Sequence, residues 1–484
     1  MVANPILTLQ DLWKAILLPV SIMTGGLFLR VAYITFFGPL SHVPGPLATR
    51  FMDLPMKRAT LKGRKMYYLH ELHKKYGPIV RVSPTEASVV DLAATREIHK
   101  ITGGLQEDGV EHSARRRLLG QPLSESALKV VQPLVHERLQ LAIEKMKRQL
   151  QEAGYMDVYK WFHYMSADII SDLSFGQSFS LLEAGEDNQY IKDLSKNDAY
   201  SAYVFELSFL FKLLKLWPFT LPIQRELEET PKRLLSYAKI ALDKYYHNQL
   251  QGGRLTPMLF SKLFKARDAG GLTEQEMIAE AASNILGGGE TVAVTLAYLI
   301  WAVSRSPSVQ ARLREELAAV PDDFTYEHVR SLPYLGMVLD ESMRLYNTVV
   351  GGSLRRSVPE GGRQLAGYYI QQGTTVAILQ YSLQRDGAIF KDPEAFRPER
   401  WETPTQEMKD AFLPYGLGTR SCVGMHLANM ELRISAVRFF KVFPSIVMSS
   451  AEGMSDDDME MMNFFLVAPK GHRCLISVPS LVDK

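Results

Sequence analysis

Cysteine is almost missing from this chain: Cys422 and Cys474 are the only two in 484 residues. Two cysteines make no disulfide framework and no zinc-finger spacing. A reducing compartment is a simpler reading than a Cys422–Cys474 bridge. Net charge is scarce too, +2 from 55 basic and 53 acidic side chains. There is no basic tail, so nothing in the charge balance points to a nucleic-acid partner. No internal repeat recurs, which excludes solenoids and propellers, and residues 47–484 hold no linker-like stretch. What remains is an ordinary globular composition, 46% hydrophobic and 22% charged, in a chain long enough to bury a large core.

Long uncharged runs are few, and two matter. The first covers Ala15 to Leu29 (AILLPVSIMTGGLFL); after Arg30 it resumes from Val31 to Leu40. About 20 apolar residues cross a bilayer core, and Arg30 near the end of the span can snorkel to the headgroups. Pro19 and the Gly25-Gly26 pair weaken the expected helix. A cleaved signal peptide is the rival, but the apolar region is long and no A-x-A site follows. Arg50, Lys57, Arg58, Lys62, Arg64 and Lys65 then face Asp53 alone, an excess that places the bulk of the chain in the cytosol. The expectation is a single N-terminal transmembrane anchor over residues 1–42 and one domain over 43–484, with Pro44-Gly45-Pro46 as a stiff hinge. The second run, Ala281 to Val303, carries one charge, Glu290. A membrane span would bury that carboxylate with no evident partner, so a central helix of a soluble domain fits better.

The patterning is mostly helical with a minor β portion. Helices are expected at 64–76, 123–152, 161–175, 274–304 (the longest), 333–346 and 424–442. Ser306 reads as an N-cap followed by Pro307 in the first turn. The segment IVRVSPTEASVV reads as two short strands around Ser83-Pro84, and RQLAGYYIQQGTTVAIL as a hairpin. Residues 203–219 (YVFELSFLFKLLKLWPF) are strongly apolar. Most such stretches are core helices; a face skimming the membrane is the other reading.

One of the two cysteines lies in YGLGTRSCVG, residues 415–424. Glycines let the backbone turn tightly and approach a large flat ligand. Backbone N–H groups of such a loop can steady a thiolate, and the helix expected after it presents its positive end. Arg420 offers a fixed cation for a carboxylate. A lone thiolate suits haem iron better than zinc, which takes several soft ligands. A Cys422–His426 metal pair is the rival, but it lacks further ligands.

The pattern Tyr415-Gly416-x-Gly418-x-Arg420-x-Cys422-x-Gly424 closely resembles the haem-binding loop of the cytochromes P-450, with Tyr415 where that loop usually has Phe. The resemblance runs from the anchor to the C-terminus. It implies a mainly α fold with small β-sheets, haem b held by Cys422, and a monooxygenase. Glu341-Ser-Met-Arg344 resembles the family's helix pair, and Pro398-Glu399-Arg400-Trp401 supplies the third member. Glu341, Arg344 and Arg400 would then form a buried network bracing the haem loop. On spacing alone such a pair is a weak signal: Glu394-Ala-Phe-Arg397 has it too.

Gly287-Gly288-Gly289-Glu290-Thr291 sits mid-helix, where each glycine costs about 1 kcal/mol relative to alanine. A kink or a close helix crossing explains it blandly. The resemblance implies the oxygen-activating motif, with Glu290 and Thr291 relaying protons. His112, Arg116 and Arg356 take the places of groups that touch the haem propionates; Arg115, Arg117 and Lys129 belong to a basic face for an acidic electron donor. Ile285, Leu286, Val349, Val350 and Phe464 are the pocket candidates.

The resemblance further implies an apolar small-molecule substrate. Electrons would come from NADPH through NADPH-cytochrome P-450 reductase on the same membrane, the endoplasmic reticulum, with the catalytic domain cytosolic. SADIISDLSFGQSF and PERW look most like fungal secondary-metabolism members. Only eleven residues separate REIHK (96–100) from His112, where the family has a longer lid. A short-lidded enzyme, a miscalled splice junction and an altered gene copy all account for that. Two rival functions stand beside the monooxygenase: a haem-thiolate isomerase or dehydratase needing no reductase, and a non-catalytic haem-binding copy. Intact Glu290 and Thr291 count against the isomerase.

Overall fold

The computed structural model describes residues 9–99, 109–214, 222–250, 261–351 and 354–479. They pack as two compact units. One gathers Met1–Ala59, Tyr67–Glu107 and Leu354–Leu379; the other gathers Thr60–Met66, Asp108–Ser353 and Gln380–Lys484. Neither boundary falls at residue 42, because the expected division was one of surroundings, lipid against water, rather than of packing.

The first unit opens with a helix, Leu9–Phe37, that runs unbroken through Pro19 and the glycine pair. Within its apolar window Leu17–Phe37, Thr35 alone is buried against protein. Those 21 residues rise about 31 Å, close to the thickness of a hydrocarbon core. Thr24 and Thr35 spend their hydroxyls on the carbonyls of Val20 and Val31, both at 2.7 Å. The body of this unit is a four-stranded sheet. Ile79–Arg81 pairs antiparallel with Glu86–Val89, the two strands expected around Ser83-Pro84. Glu86–Val89 pairs parallel with Thr375–Ile378, which pairs antiparallel with Leu354–Ser357. The expected hairpin is present as Arg363–Leu365 against Tyr368–Ile370, with Ala366 and Gly367 both at positive φ, 46° and 82°, as a two-residue turn requires. Its distal part, Thr375–Ile378, leaves the hairpin for the larger sheet.

Pro44-Gly45-Pro46 is not a hinge. Arg81, buried on its strand, donates to the carbonyls of Leu40 and Val43 at 2.9 and 2.7 Å. The Arg81 amide donates to the Pro44 carbonyl at 2.7 Å. A Cβ at Gly45 would stand 2.5 Å from the Arg81 carbonyl oxygen. The segment is clamped to the sheet edge because a buried guanidinium needs several acceptors, and sheet and segment supply them.

The second unit is helical. At its centre lies Thr291–Ser304, buried along its length from Val292 onward. It packs against Val158–Phe175, Pro333–Tyr346 and Met425–Val442, all close to the expected bounds. Val158–Phe175 also crosses Glu274–Gly289, the helix that leads into the centre. Small sheets flank this core: Met156–Asp157, Leu475–Ser477 and Val447–Met448 form one, and Met461–Asn463 with Val467–Pro469 the other.

Four expectations change here. The 274–304 segment is two helices, Glu274–Gly289 and Thr291–Ser304, meeting at Glu290; Leu9–Phe37 and Pro222–Leu250, 29 residues each, are longer. The 123–152 helix is two pieces, Glu125–Leu128 and Gln132–Ala153. Ser306 occupies the N-cap position but donates back to Ala302 O at 3.1 Å and does not cap. Residues 203–214 are not a core helix: Phe205, Phe209, Leu210 and Leu213 are exposed. Residues 215–219 lie outside the described residues.

Candidate active site

The YGLGTRSCVG loop folds as the spacing predicts. Gly416 and Gly418 have φ of 69° and 71°, a region that side chains with a Cβ rarely enter. The Cys422 amide reaches back to the Tyr415 carbonyl at 2.8 Å and closes the loop. Gly424, at φ −87°, leads into the Met425–Val442 helix. Its role is different: its N–H faces the sulfur of Cys422.

Cys422 is not disulfide-bonded, and its side chain is exposed. It is exposed to a cavity of about 160 Å3, whose walls include Leu123, Ile170, Asn284, Gly287, Gly288, Thr291, Cys422, Gly424 and Glu431. Surrounding protein desolvates the sulfur and pushes its pKa up. The Gly424 N–H and the Arg116 guanidinium pull it back. Arg116 is held there by Ser421, donating to its carbonyl at 2.5 Å and its hydroxyl at 2.9 Å. Arg420 is exposed on a 3-10 turn, Gly418–Arg420. The Tyr415 hydroxyl donates to Asn429 Oδ1 at 3.3 Å, so it ties the loop to the following helix. Burial, then the charge of Cys422, raises its pKa.

Opposite the sulfur stands the glycine helix, and its three glycines do three different things. A Cβ on Gly288 would meet Ile170 at 2.7 Å, so this glycine is required by the crossing with Val158–Phe175. A Cβ on Gly289 would touch Ala167 at an ordinary 3.6 Å. A Cβ on Gly287 would meet nothing within 4 Å, because Gly287 faces the cavity. Thr291, one turn on, donates to Gly287 O at 2.8 Å and is part of the cavity wall. Glu290 is buried and is not part of this wall. After burial, its charge is what raises the pKa of the Tyr190 hydroxyl.

The bracing network is complete. Arg344 meets Glu341 in a bidentate pair, both contacts at 2.9 Å, with neither side chain exposed. Arg400 Nε donates to the same carboxylate at 2.9 Å. Sequence spacing missed two more donors, the Trp401 indole at 3.0 Å and the Arg397 backbone N–H at 2.9 Å. The remaining guanidinium hydrogens go to carbonyls, from Arg344 to Gln384 and Pro393 and from Arg400 to Lys391, each at 2.7 Å. A buried carboxylate with five N–H donors from four residues is satisfied, as a buried charge has to be. The network reaches the cysteine loop through rings: Trp401 packs on Phe412 at 4.7 Å. Gln380 and Asn347 then hold the carbonyls of Leu413 and Pro414, at 3.0 and 3.4 Å.

Other expected residues fall elsewhere. The side chain of His112, on the Gly109–Gly120 helix, lies outside the described residues, as does the short connection over 100–108. In the first unit, Arg355 is paired with Glu86 at 3.0 Å, while Arg356 donates to the Arg355 carbonyl and, after burial, depresses the pKa of His99. Arg115 is not on an open basic face: Glu276 and Glu280 hold it at 2.6 and 3.2 Å. Ile285 and Leu286 line a second, larger cavity of about 290 Å3 with Tyr190, Leu194 and Pro231. Val349, Val350 and Phe464 line neither.

The chemistry of the donor set suits an iron porphyrin. A single thiolate donor needs no companion ligand there, Gly287 places no side chain in the wall it shares with Asn284 and Thr291, and apolar walls of Leu123, Ile170 and Leu427 flank the space. Among the described residues no cluster of three His, Cys, Asp or Glu could hold a different metal.

Comparison with known proteins agrees. The Cytochrome P450 family profile matches residues 91–475. Cytochrome P450 monooxygenase tazI of Aspergillus terreus is 38% identical over 474 residues, covering 93% of this chain and 96% of that protein. Cytochrome P450 monooxygenase stcB of Emericella nidulans is 29% identical, covering 93% and 90%. Averantin hydroxylase of Dothistroma septosporum is 30% identical, covering 84% and 80%. With the thiol, the clear glycine wall and the completed Glu341 network on one helical core, the chain belongs to the cytochrome P450 family and is a haem-dependent monooxygenase.

Proposed function

We propose that this protein inserts one oxygen atom of dioxygen into an apolar small molecule of a fungal secondary-metabolite pathway, drawing electrons from NADPH through a flavoprotein reductase. The single observation that carries this reading is the shared cavity of Cys422 and Thr291, with the clear Gly287 wall beside them. Haem bound there supplies the oxygen chemistry, and its thiolate ligand favours O–O cleavage.

The residues do the rest. Cys422 would ligate iron as a thiolate, steadied by the Gly424 N–H and Arg116. His112, Arg116 and Arg356 are assigned to the propionates, and Arg420 to the same carboxylates. The Glu341, Arg344 and Arg400 network holds the loop in register. Thr291 Oγ1, fixed by Gly287 O, accepts a hydrogen bond from water and holds it at the reacting face; Glu290 would take part in the relay. Similarity to averantin hydroxylase supports hydroxylation as the outcome. The Leu9–Phe37 helix would anchor the protein in the endoplasmic reticulum, leaving residues 43–484 in the cytosol, where the reductase is reached.

The test is the reduced carbon-monoxide difference spectrum of the purified full-length protein. A Soret band at the thiolate position, lost in Cys422→Ser, supports the reading. A Cys422→Ser protein with full pigment and turnover overturns it. NADPH consumption with purified reductase separates a monooxygenase from an isomerase, which needs no reductant.

A further inference from the structure

The larger cavity, about 290 Å3, lies between the helices Gln189–Glu206, Pro222–Leu250 and Glu274–Gly289. That volume is near the lower end of small-ligand pockets, about 300–1,000 Å3. Tyr190, Leu194 and Asn197 reach it from one face of the first helix, at the four- and three-residue spacing of surface neighbours. Ser283, on the third helix, stands in its wall and also in the wall of the Cys422 cavity. Among the described residues, no charged side chain lines the larger cavity.

Three polar groups in this mostly apolar wall have unused hydrogen-bonding capacity. The Ser283 hydroxyl makes no hydrogen bond among the described residues, although Ser195, Thr291 and Thr295 each bond the carbonyl four residues back. Asn197 Oδ1 accepts from Ser201 at 3.4 Å, and its N–H2 meets no acceptor among the described residues. The Tyr190 hydroxyl has no partner among them either, in a residue only 5% exposed. A buried tyrosine hydroxyl usually finds a partner. This one is fixed in place, because Phe179 and Tyr237 pack on its ring with centroids at 4.6 and 5.5 Å. Burial, then the charge of Glu290, raises its pKa, so it remains an O–H donor.

The chemistry of an occupant follows from these groups. A carboxylate would enter with no cation to pair it, and an ammonium with no anion. A hydrocarbon would leave the Tyr190 and Asn197 donors dry and unpaired. A neutral carbonyl oxygen only accepts, and so answers a donor. We propose that this cavity recognises the substrate as a neutral, largely apolar carbonyl compound, with its C=O accepting the Tyr190 O–H. The inference rests on the monooxygenase reading above. Asn197, seven residues along the helix and so about 10 Å away, offers its N–H2 to a second oxygen. An occupant that extends to Ser283 borders the Cys422 cavity. Tyr190 is thus a positioning residue: it fixes one end of the molecule and thereby selects which carbon is presented.

The probes are 9-fluorenone, its carbonyl-free counterpart fluorene, and fluorenone-4-carboxylate, added to the haem-loaded, full-length protein. Equilibrium dialysis should give fluorene and the carboxylate Kd values at least ~10-fold above that of fluorenone. Tyr190→Phe should raise the fluorenone Kd ~10-fold and leave that of fluorene in place. The infrared C=O band of bound fluorenone should lie below its position in an alkane solvent, and return toward it in Tyr190→Phe. Ala282→Phe, which fills the cavity, should abolish fluorenone binding with the carbon-monoxide spectrum unchanged. Absent fluorenone binding, equal affinities for fluorenone and fluorene, or a C=O band unmoved by Tyr190→Phe overturns the assignment. A merely structural Tyr190 would weaken fluorenone and fluorene alike in Tyr190→Phe, which also overturns it. A wild type that binds as expected yet lacks the carbon-monoxide band keeps the carbonyl site and removes the monooxygenase reading beneath it instead.

Discussion

Gly287, Gly288 and Gly289 look alike in the sequence, and the structure separates them. Replacing a helical glycine by alanine gains about 1 kcal/mol from backbone entropy. At Gly289, where the new methyl finds ordinary contact, that gain should appear as a raised melting temperature. At Gly288 the methyl would meet Ile170 at 2.7 Å, and overpacking of this kind costs about 1–3 kcal/mol; Gly288→Ala should therefore melt lower. Gly287→Ala should melt no lower than wild type, yet take up less haem, because its methyl enters the cavity. Paired melting curves and Soret-to-protein absorbance ratios of the three variants check this, and equal behaviour of all three would contradict it. The bland reading of the glycine run, a close helix crossing, holds at Gly288.

At the scale of elements, the decisive structure is the seam between Pro333–Tyr346 and the Pro398–Trp401 turn. Removing one partner of a buried charge pair strands the other, at a cost of about 3–5 kcal/mol. Glu341→Gln should therefore lower the melting temperature sharply and reduce haem retention together. Trp401→Phe keeps the ring against Phe412 and loses one hydrogen bond to a charged acceptor, a cost of about 1.5–3 kcal/mol. Denaturant melts of both, in which Trp401→Phe is expected to lose about half as much as Glu341→Gln, check the ordering. Much of this seam was legible in the sequence, because Glu341, Arg344 and Arg400 resemble the family's network, which spacing alone would not have picked out from Glu394 and Arg397. The indole of Trp401 and the Arg397 amide were not, since spacing along a chain does not say which groups will converge from the side. The break at Glu290 was hidden by an apolar run that continues across it, and the Cys422 loop was plain because its glycines carry a backbone conformation that other residues resist.

For the whole molecule, the N-terminal helix and the buried histidines set the conditions of handling. Full-length protein should stay with membranes through an alkaline carbonate wash, and a chain lacking residues 1–37 should pass to the supernatant. Retention of the shortened chain would show that another surface holds the bilayer, with exposed Phe205 and Phe209 the first suspects. Acid should weaken both units. His73 in the first and His163 in the second are buried, and desolvation depresses each from 6.5 to about 4. A depressed histidine is neutral when folded and takes a proton on unfolding. The stability it contributes is complete above about pH 6.5 and drains away as pH falls toward 4. Melting temperatures between pH 7 and 4.5 should therefore decline, and less steeply in His163→Gln; identical slopes would remove His163 from the account.

The grip of Arg81 on Leu40 and Val43 decides where a crystallographer should cut. Trimming through Phe37 discards exposed apolar residues and leaves the guanidinium its acceptors. Starting instead at Leu47, just past the proline pair, would leave those hydrogen-bond donors buried in front of nothing, and the recombinant product should collect in inclusion bodies.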